Sequence, residues 1–131
     1  VYHNHDFEFA EQAGSAIGYD LLLRETDPGL VQFEIDCGWM AVGGRDPRDY
    51  FAHYPGRFPM IHVKDFLPAA LRGGAHPGAE LGHGMIDYGP IFAAAEKAGL
   101  RHYFAEQEGP FTRMSQIEAA QQAYDYLRKL R

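Results

Sequence analysis

Four strand-like runs alternate with four helix-like runs along these 131 residues, an order that predicts an α/β fold on a parallel sheet. Two features support it. The helix-like runs open on capping residues, three of them closing at Gly or Pro, and the strand-like runs end in Asp, His or Glu. Parallel strands that each deliver such a residue at the C-terminal end bring them to one place, which is how a β/α sheet assembles a divalent-metal site.

The first strand is Val1–His5. A helix follows over Ser15–Thr26, capped by Ser15, with Ile17, Leu21 and Leu22 on one side and Asp27-Pro28-Gly29 as its stop. Leu30–Cys37 is the second strand. Asp46-Pro47, a cap followed by proline at the first helical position, opens the next helix, which turns Tyr50, Phe51 and Tyr54 inward and stops at Pro55-Gly56. Phe58–Lys64 is the third strand. Asp87 precedes a helix carrying Ile91, Phe92, Ala95 and Ala98 and closed by Gly99. Leu100–Glu106 is the fourth strand, and Ser115 with Glu118 forms a capping-box pair before a last helix to about Lys129. Between the third strand and its helix lies a Gly- and Pro-rich insertion, Phe66–Ile86, with His76 and His83 read as solvated loop residues. The chain reads as one domain, residues 1–131.

Alternation along a strand sets what faces what. Phe33 and Ile35 oppose Glu34 and Asp36; Ile61 and Val63 oppose His62 and Lys64; Tyr103 and Ala105 oppose Phe104, Glu106 and Glu108; His3 and His5 share a face. The apolar sets pack under helices and the polar sets point together. Burying Asp36, His62 and Glu106 there is costly without a metal or close partners. Trp39 reads as packing and Cys37 as a small core residue, with no feature beside it that marks a nucleophile. Gly82-x-Gly84 lacks the Lys-Ser/Thr of a phosphate loop.

A formal net charge of −6 without a Lys/Arg run argues against a nucleic-acid binder, including an endonuclease with a basic groove. No apolar run approaches the roughly 20 residues of a membrane span, and no signal peptide is visible. A single cysteine rules out an internal disulfide. A first residue other than Met marks a fragment or processed piece. The compartment stays unassigned: a soluble cytoplasmic protein is favoured, with a periplasmic one open if an upstream signal was removed.

At five strings the chain resembles the sugar phosphate isomerase/epimerase superfamily, with its xylose isomerase-like barrel: Tyr2-His3-Asn4-His5-Asp6-Phe7-Glu8-Phe9, Ile35-Asp36-Cys37-Gly38-Trp39, Ile61-His62-Val63-Lys64-Asp65, Leu81-Gly82-His83-Gly84-Met85-Ile86-Asp87 and Phe104-Ala105-Glu106-Gln107-Glu108. Such proteins are eight-stranded barrels about twice this long. The resemblance therefore implies the (βα)4 half of a TIM-type barrel, strands five to eight, the C-terminal half. It implies one divalent cation, Mn²⁺, Mg²⁺, Co²⁺ or Zn²⁺, held by Asp36, His62 and Glu106. The first ligand position, where many relatives carry Glu, falls on His3, with His5 as the alternative.

The chemistry implied is isomerisation, epimerisation or dehydration (or β-elimination) of a sugar or keto-sugar. Each begins with removal of a proton next to a carbonyl, while the cation stabilises the charge that develops. Glu106 serves as ligand and base, Glu8 or Glu108 as second acid/base, Lys64 as positive charge towards a substrate oxygen, and His83 as a residue closing over it. Four parallel strands cannot close a barrel, so a homodimer or pairing with an N-terminal half-barrel is expected. The alternative is a catalytically inactive half-barrel or binding module that needs such a partner.

Overall fold

The computed structural model describes residues 1–10, 16–68, 77–109, 111 and 113–130. Its elements run β1 (Tyr2–His3), a 3-10 turn (Phe7–Phe9), α1 (Gly18–Glu25), β2 (Phe33–Asp36), α2 (Cys37–Val42), α3 (Pro47–His53), β3 (Met60–Val63), β4 (Asp65–Phe66), β5 (Gly78–Ala79), α4 (Tyr88–Lys97), β6 (His102–Ala105) and α5 (Gln116–Arg128). The main sheet has the order β1-β2-β3-β6 with every pairing parallel, which is the arrangement of four consecutive βα units. Register sets His3 beside Glu34, Asp36 beside His62, and His62 beside Phe104.

The alternation expected from the sequence holds in β2 and β3; in β6 Tyr103 is half-buried and Ala105, expected to pack with it, is exposed. Phe33, Ile35, Ile61 and Val63 are fully buried under the helices, together with Tyr19, Leu23, Phe58 and Tyr88. Each such side chain contributes about 1.5–3 kcal/mol on burial, so the apolar face secures the register that turns the polar face outward. The caps also hold. Asp46 accepts from Arg48 N with Pro47 in the first turn, Asp87 accepts from Gly89 N, and Ser115 and Glu118 make both halves of a capping box. Gly99 closes α4 at φ +100°, a backbone state that only glycine adopts cheaply.

The structure departs from the sequence-based expectation in four places. The strands are shorter at both ends than the sequence reading, spanning Tyr2–His3, Phe33–Asp36, Met60–Val63 and His102–Ala105. A short helix, α2, begins directly after Asp36, whose side chain caps it by accepting from Trp39 N at 2.9 Å. The segment stops at Gly43-Gly44, with Gly44 at φ +74°, and Gly38 admits its close approach to β3: a Cβ there would lie 2.7 Å from Lys64 O. The insertion contains an antiparallel pair, β4 with β5. Helix α1 starts at Gly18 with Ile17 as its cap residue and no side-chain cap; Ser15, expected to cap it, lies outside the described residues, as does His76. No helix among the described residues is long and apolar enough to cross a membrane.

Candidate metal and acid/base site

Asp36 ends β2 on the face opposite the helices and is fully buried. The Asn4 side chain holds its backbone on both sides: Asn4 Nδ2 donates to Asp36 O at 3.1 Å, and Asp36 N donates to Asn4 Oδ1 at 2.9 Å. With Oδ1 committed to the α2 cap, Asp36 Oδ2 has no well-aligned hydrogen bond although it is buried. Around it stand His3 Nε2 at 3.3 Å, His62 Nδ1 at 3.7 Å and Lys64 Nζ at 3.9 Å. His3 Nε2 and His62 Nδ1 face each other at 2.8 Å. His3, Asp36 and His62 thus form a group in which one ligand atom from each lies within 4.8 Å of the others. A buried carboxylate oxygen left over beside two imidazole nitrogens is the donor chemistry that a divalent transition metal takes, so these residues fit a cation.

The second part of the site is built on Lys64 and the end of β6. Tyr88, buried under the sheet, binds the Lys64 backbone twice, accepting from its N–H at 2.9 Å and donating to its C=O at 2.7 Å. The ammonium is thereby aimed at Glu106 Oε2 (2.9 Å) and Glu108 Oε1 (2.9 Å), and it stands 5.2 Å from the Trp39 ring centre. Glu106 Oε2 also lies 3.0 Å from His62 Nε2. Burial works to lower the Lys64 pKa, but the carboxylates of Glu106, Glu108 and Asp36 outweigh it and the pKa is raised. Burial likewise works to raise Glu106, yet the Lys64 ammonium holds its carboxyl below the ordinary range. The Asp36 carboxylate raises His3 against the desolvation that would lower it. At neutral pH Lys64 is a cation and Glu106 an anion.

The remaining residues singled out in the sequence are placed as follows. His5 is exposed, its ring 5.2 Å from that of His3 and 5.7 Å from that of Trp39, so it stands at the rim and outside the His3/Asp36/His62 group. Glu8 is buried and both its oxygens are engaged: Oε1 accepts from the Tyr2 hydroxyl at 2.6 Å and Oε2 from His5 N at 3.0 Å. Tyr2 leaves its strand on the face opposite His3 and packs on Phe33, so these contacts tie Glu8 to the β1 turn. His83 is exposed on the insertion. Three contributors escaped the sequence reading. Asn4 and Tyr88 act on backbone groups, which no side-chain pattern announces. Parity placed Glu34 on the Asp36 face without naming it as a site residue, and its Oε1 lies 3.6 Å from His62 Nδ1.

No family model matches the chain. Among curated proteins, an inosose dehydratase of Lacticaseibacillus casei is 29% identical over 143 aligned positions, covering 97% of this chain and 46% of that protein. An inosose dehydratase of Geobacillus kaustophilus is 34% identical over 108 positions, 71% of this chain and 33% of that one. Among solved structures, a sugar phosphate isomerase/epimerase from Parabacteroides distasonis superposes with TM-score 0.79 at 31% identity, over 98% of this chain and 44% of the other. A xylose isomerase domain protein from Alicyclobacillus acidocaldarius shares the fold, with TM-score 0.58 at 21% identity. The fold and these likenesses define a half-barrel of the xylose isomerase-like type. Over nearly its whole length the chain is similar to sugar phosphate isomerase/epimerase proteins, and it spans about half the length, or less, of the relatives it matches.

Proposed function

We propose that this half-barrel carries the cation and acid/base residues of a metal-dependent enzyme that abstracts a proton beside the carbonyl of a sugar or keto-sugar. The observation that carries this reading is the convergence of His3 and His62 on the orphaned Oδ2 of buried Asp36. His3, Asp36 and His62 would hold a divalent ion, which would supply positive charge to polarise the substrate carbonyl. Glu106, kept ionised by Lys64, accepts the proton from carbon. Glu108, on the same ammonium, is the second acid/base: it returns a proton to carbon in an isomerisation or epimerisation, or gives it to a departing hydroxyl in a dehydration. Lys64 bridges the two carboxylates and presents positive charge to a substrate oxygen. The names of the curated relatives favour dehydration of a cyclic keto-sugar such as an inosose.

The test is calorimetric titration and elemental analysis of the chain beside Asp36→Ala and His62→Ala. Stoichiometric Mn²⁺, Co²⁺ or Zn²⁺ binding abolished in both variants is expected, followed by loss of water from an inosose, or isomerisation of a ketose, that depends on Glu106. A folded chain that ignores all three ions would sink the reading.

A second reading concerns assembly. Among the described residues the sheet ends in β1 on one side and β6 on the other, and Phe7, Leu30, Phe104 and Tyr124 are exposed apolar residues. On this reading the chain is catalytically silent alone and works when a second half-barrel, a copy of itself or an N-terminal half like that of its relatives, covers those edges.

A further inference from the structure

The geometry points to Trp39 as a platform for the substrate, taking the C–H face of a ring-closed polyol in preference to an open-chain one. This inference rests on the cation reading above and adds the shape of the molecule that lies beside the ion.

The sequence pattern reads Trp39 as packing, and the structure gives its indole only part of that role. Buried Phe66 backs the ring, with centres 4.8 Å apart and planes tilted by 52°. Trp39 nonetheless stays half-buried. The Lys64 ammonium stands over the ring at 5.2 Å, and exposed His5 flanks it at 5.7 Å. The indole therefore offers apolar surface bordered by hydrogen-bonding groups.

One carboxylate ties this surface to the candidate cation residues. Asp36 Oδ1 accepts from Trp39 N at 2.9 Å, while Oδ2 of the same side chain faces His3 and His62. Lys64 Nζ lies 3.9 Å from that Oδ2 and 2.9 Å from both Glu106 and Glu108. A molecule whose oxygens reach the ion and Lys64 thus has its carbon skeleton beside Trp39.

A ring and a chain with equal hydroxyls use such a surface differently. In a six-membered ring with equatorial hydroxyls, the axial hydrogens occupy the two faces and the hydroxyls run round the edge. Such a ring covers the indole with C–H and keeps its hydroxyls free for the ion and the ammonium. An open chain carries hydroxyls on every side, so lying flat presses some of them unpaired against the indole. It must also immobilise several rotatable bonds, which lowers affinity.

Trp39 is the only tryptophan of the chain, so its fluorescence reports the platform directly. The chain is loaded with Zn²⁺, whose closed shell leaves indole emission intact. It is then titrated with scyllo-inositol and with glucitol, unreactive polyols with the same number of hydroxyls, one a ring and one a chain. A saturable change in emission is expected, with scyllo-inositol binding roughly tenfold more tightly than glucitol. By calorimetry, Trp39→Leu should bind scyllo-inositol roughly tenfold more weakly than wild type. Trp39→Phe, which keeps an aromatic face, should recover most of that loss. Equal affinity for the two polyols, wild-type affinity in a folded Trp39→Leu, or emission unmoved by scyllo-inositol in a Zn²⁺-loaded chain would overturn the inference and leave the cation reading standing. A chain that takes up no Zn²⁺ overturns both. The comparison of ring with chain is made on the wild type, so it holds even where a variant fails to fold.

Discussion

Asp36 has every polar group assigned before any ligand arrives, except one oxygen. Asn4 takes its N–H and C=O, Trp39 N takes Oδ1, and Oδ2 is left facing His3 and His62. The clamp has a measurable consequence. Asn4→Ala strands a buried donor and acceptor, each worth about 1–3 kcal/mol when left unsatisfied, so denaturant unfolding should show a loss of that order and cation affinity should fall with it. Unchanged stability would mean that water replaces the amide. Tyr88→Phe is the parallel case on Lys64: it removes one hydroxyl that serves the N–H and C=O of the residue carrying the site's ammonium. We expect a comparable loss of about 1–3 kcal/mol in the same assay. The ligand-type residues were legible from strand parity because side-chain chemistry repeats with period two. The clamps were not, because they depend on which loop passes within hydrogen-bond reach.

At the scale of elements, the insertion after β3 is organised by one carboxylate. Asp65 is buried and accepts from Phe66 N, Gly84 N and Ile86 N at 2.9, 3.0 and 3.2 Å. Burial raises its pKa against the pull of those amides. Gly84 passes so close that any Cβ would collide with the Asp65 carboxylate. Gly84→Ala should therefore cost about 1–3 kcal/mol, the range for overpacking a tight site, read by chemical denaturation; a neutral result would show that the loop shifts freely.

The helix caps give a pH dependence. Arg48 holds Asp46 below its ordinary value, and the Ser115 backbone and hydroxyl do the same for Glu118. A depressed carboxyl contributes stability that is present above its unfolded pKa, about 4, and is lost as pH falls through the lower folded value. Acid unfolding of Asp46→Asn should accordingly be flatter below about pH 4 than that of wild type. An identical acid limb in both would exclude the cap as a contributor. These caps were plain in the sequence, since Asp-Pro and Ser-x-x-Glu act on backbone groups one turn away. Helix α2 was not, because its start depends on Asp36 being delivered by the sheet and on Gly38 slipping under Lys64 O.

At the scale of the whole molecule, four parallel strands, ending in β1 and β6 among the described residues, make half of a closed architecture. Sedimentation of the chain at micromolar concentration should give a dimer or larger species. A stable, cooperatively unfolding monomer would argue that the edges are tolerated and would remove the self-pairing version of the second reading.

The order of units, the inward and outward faces, three of the four helix caps and the polar strand ends were determined by the sequence alone, because each depends on residues within a turn or a strand of one another. What belongs to the tertiary structure is the sorting of those polar residues. His3 joins the cluster and His5 stays at the rim; Glu8 is spent on Tyr2 and His5 N; Glu106 is drawn to Lys64 and the far side of His62; Glu34 rises beside them. Those assignments depend on distances between strands that the sheet register fixes, and a one-dimensional pattern carries no distance across strands.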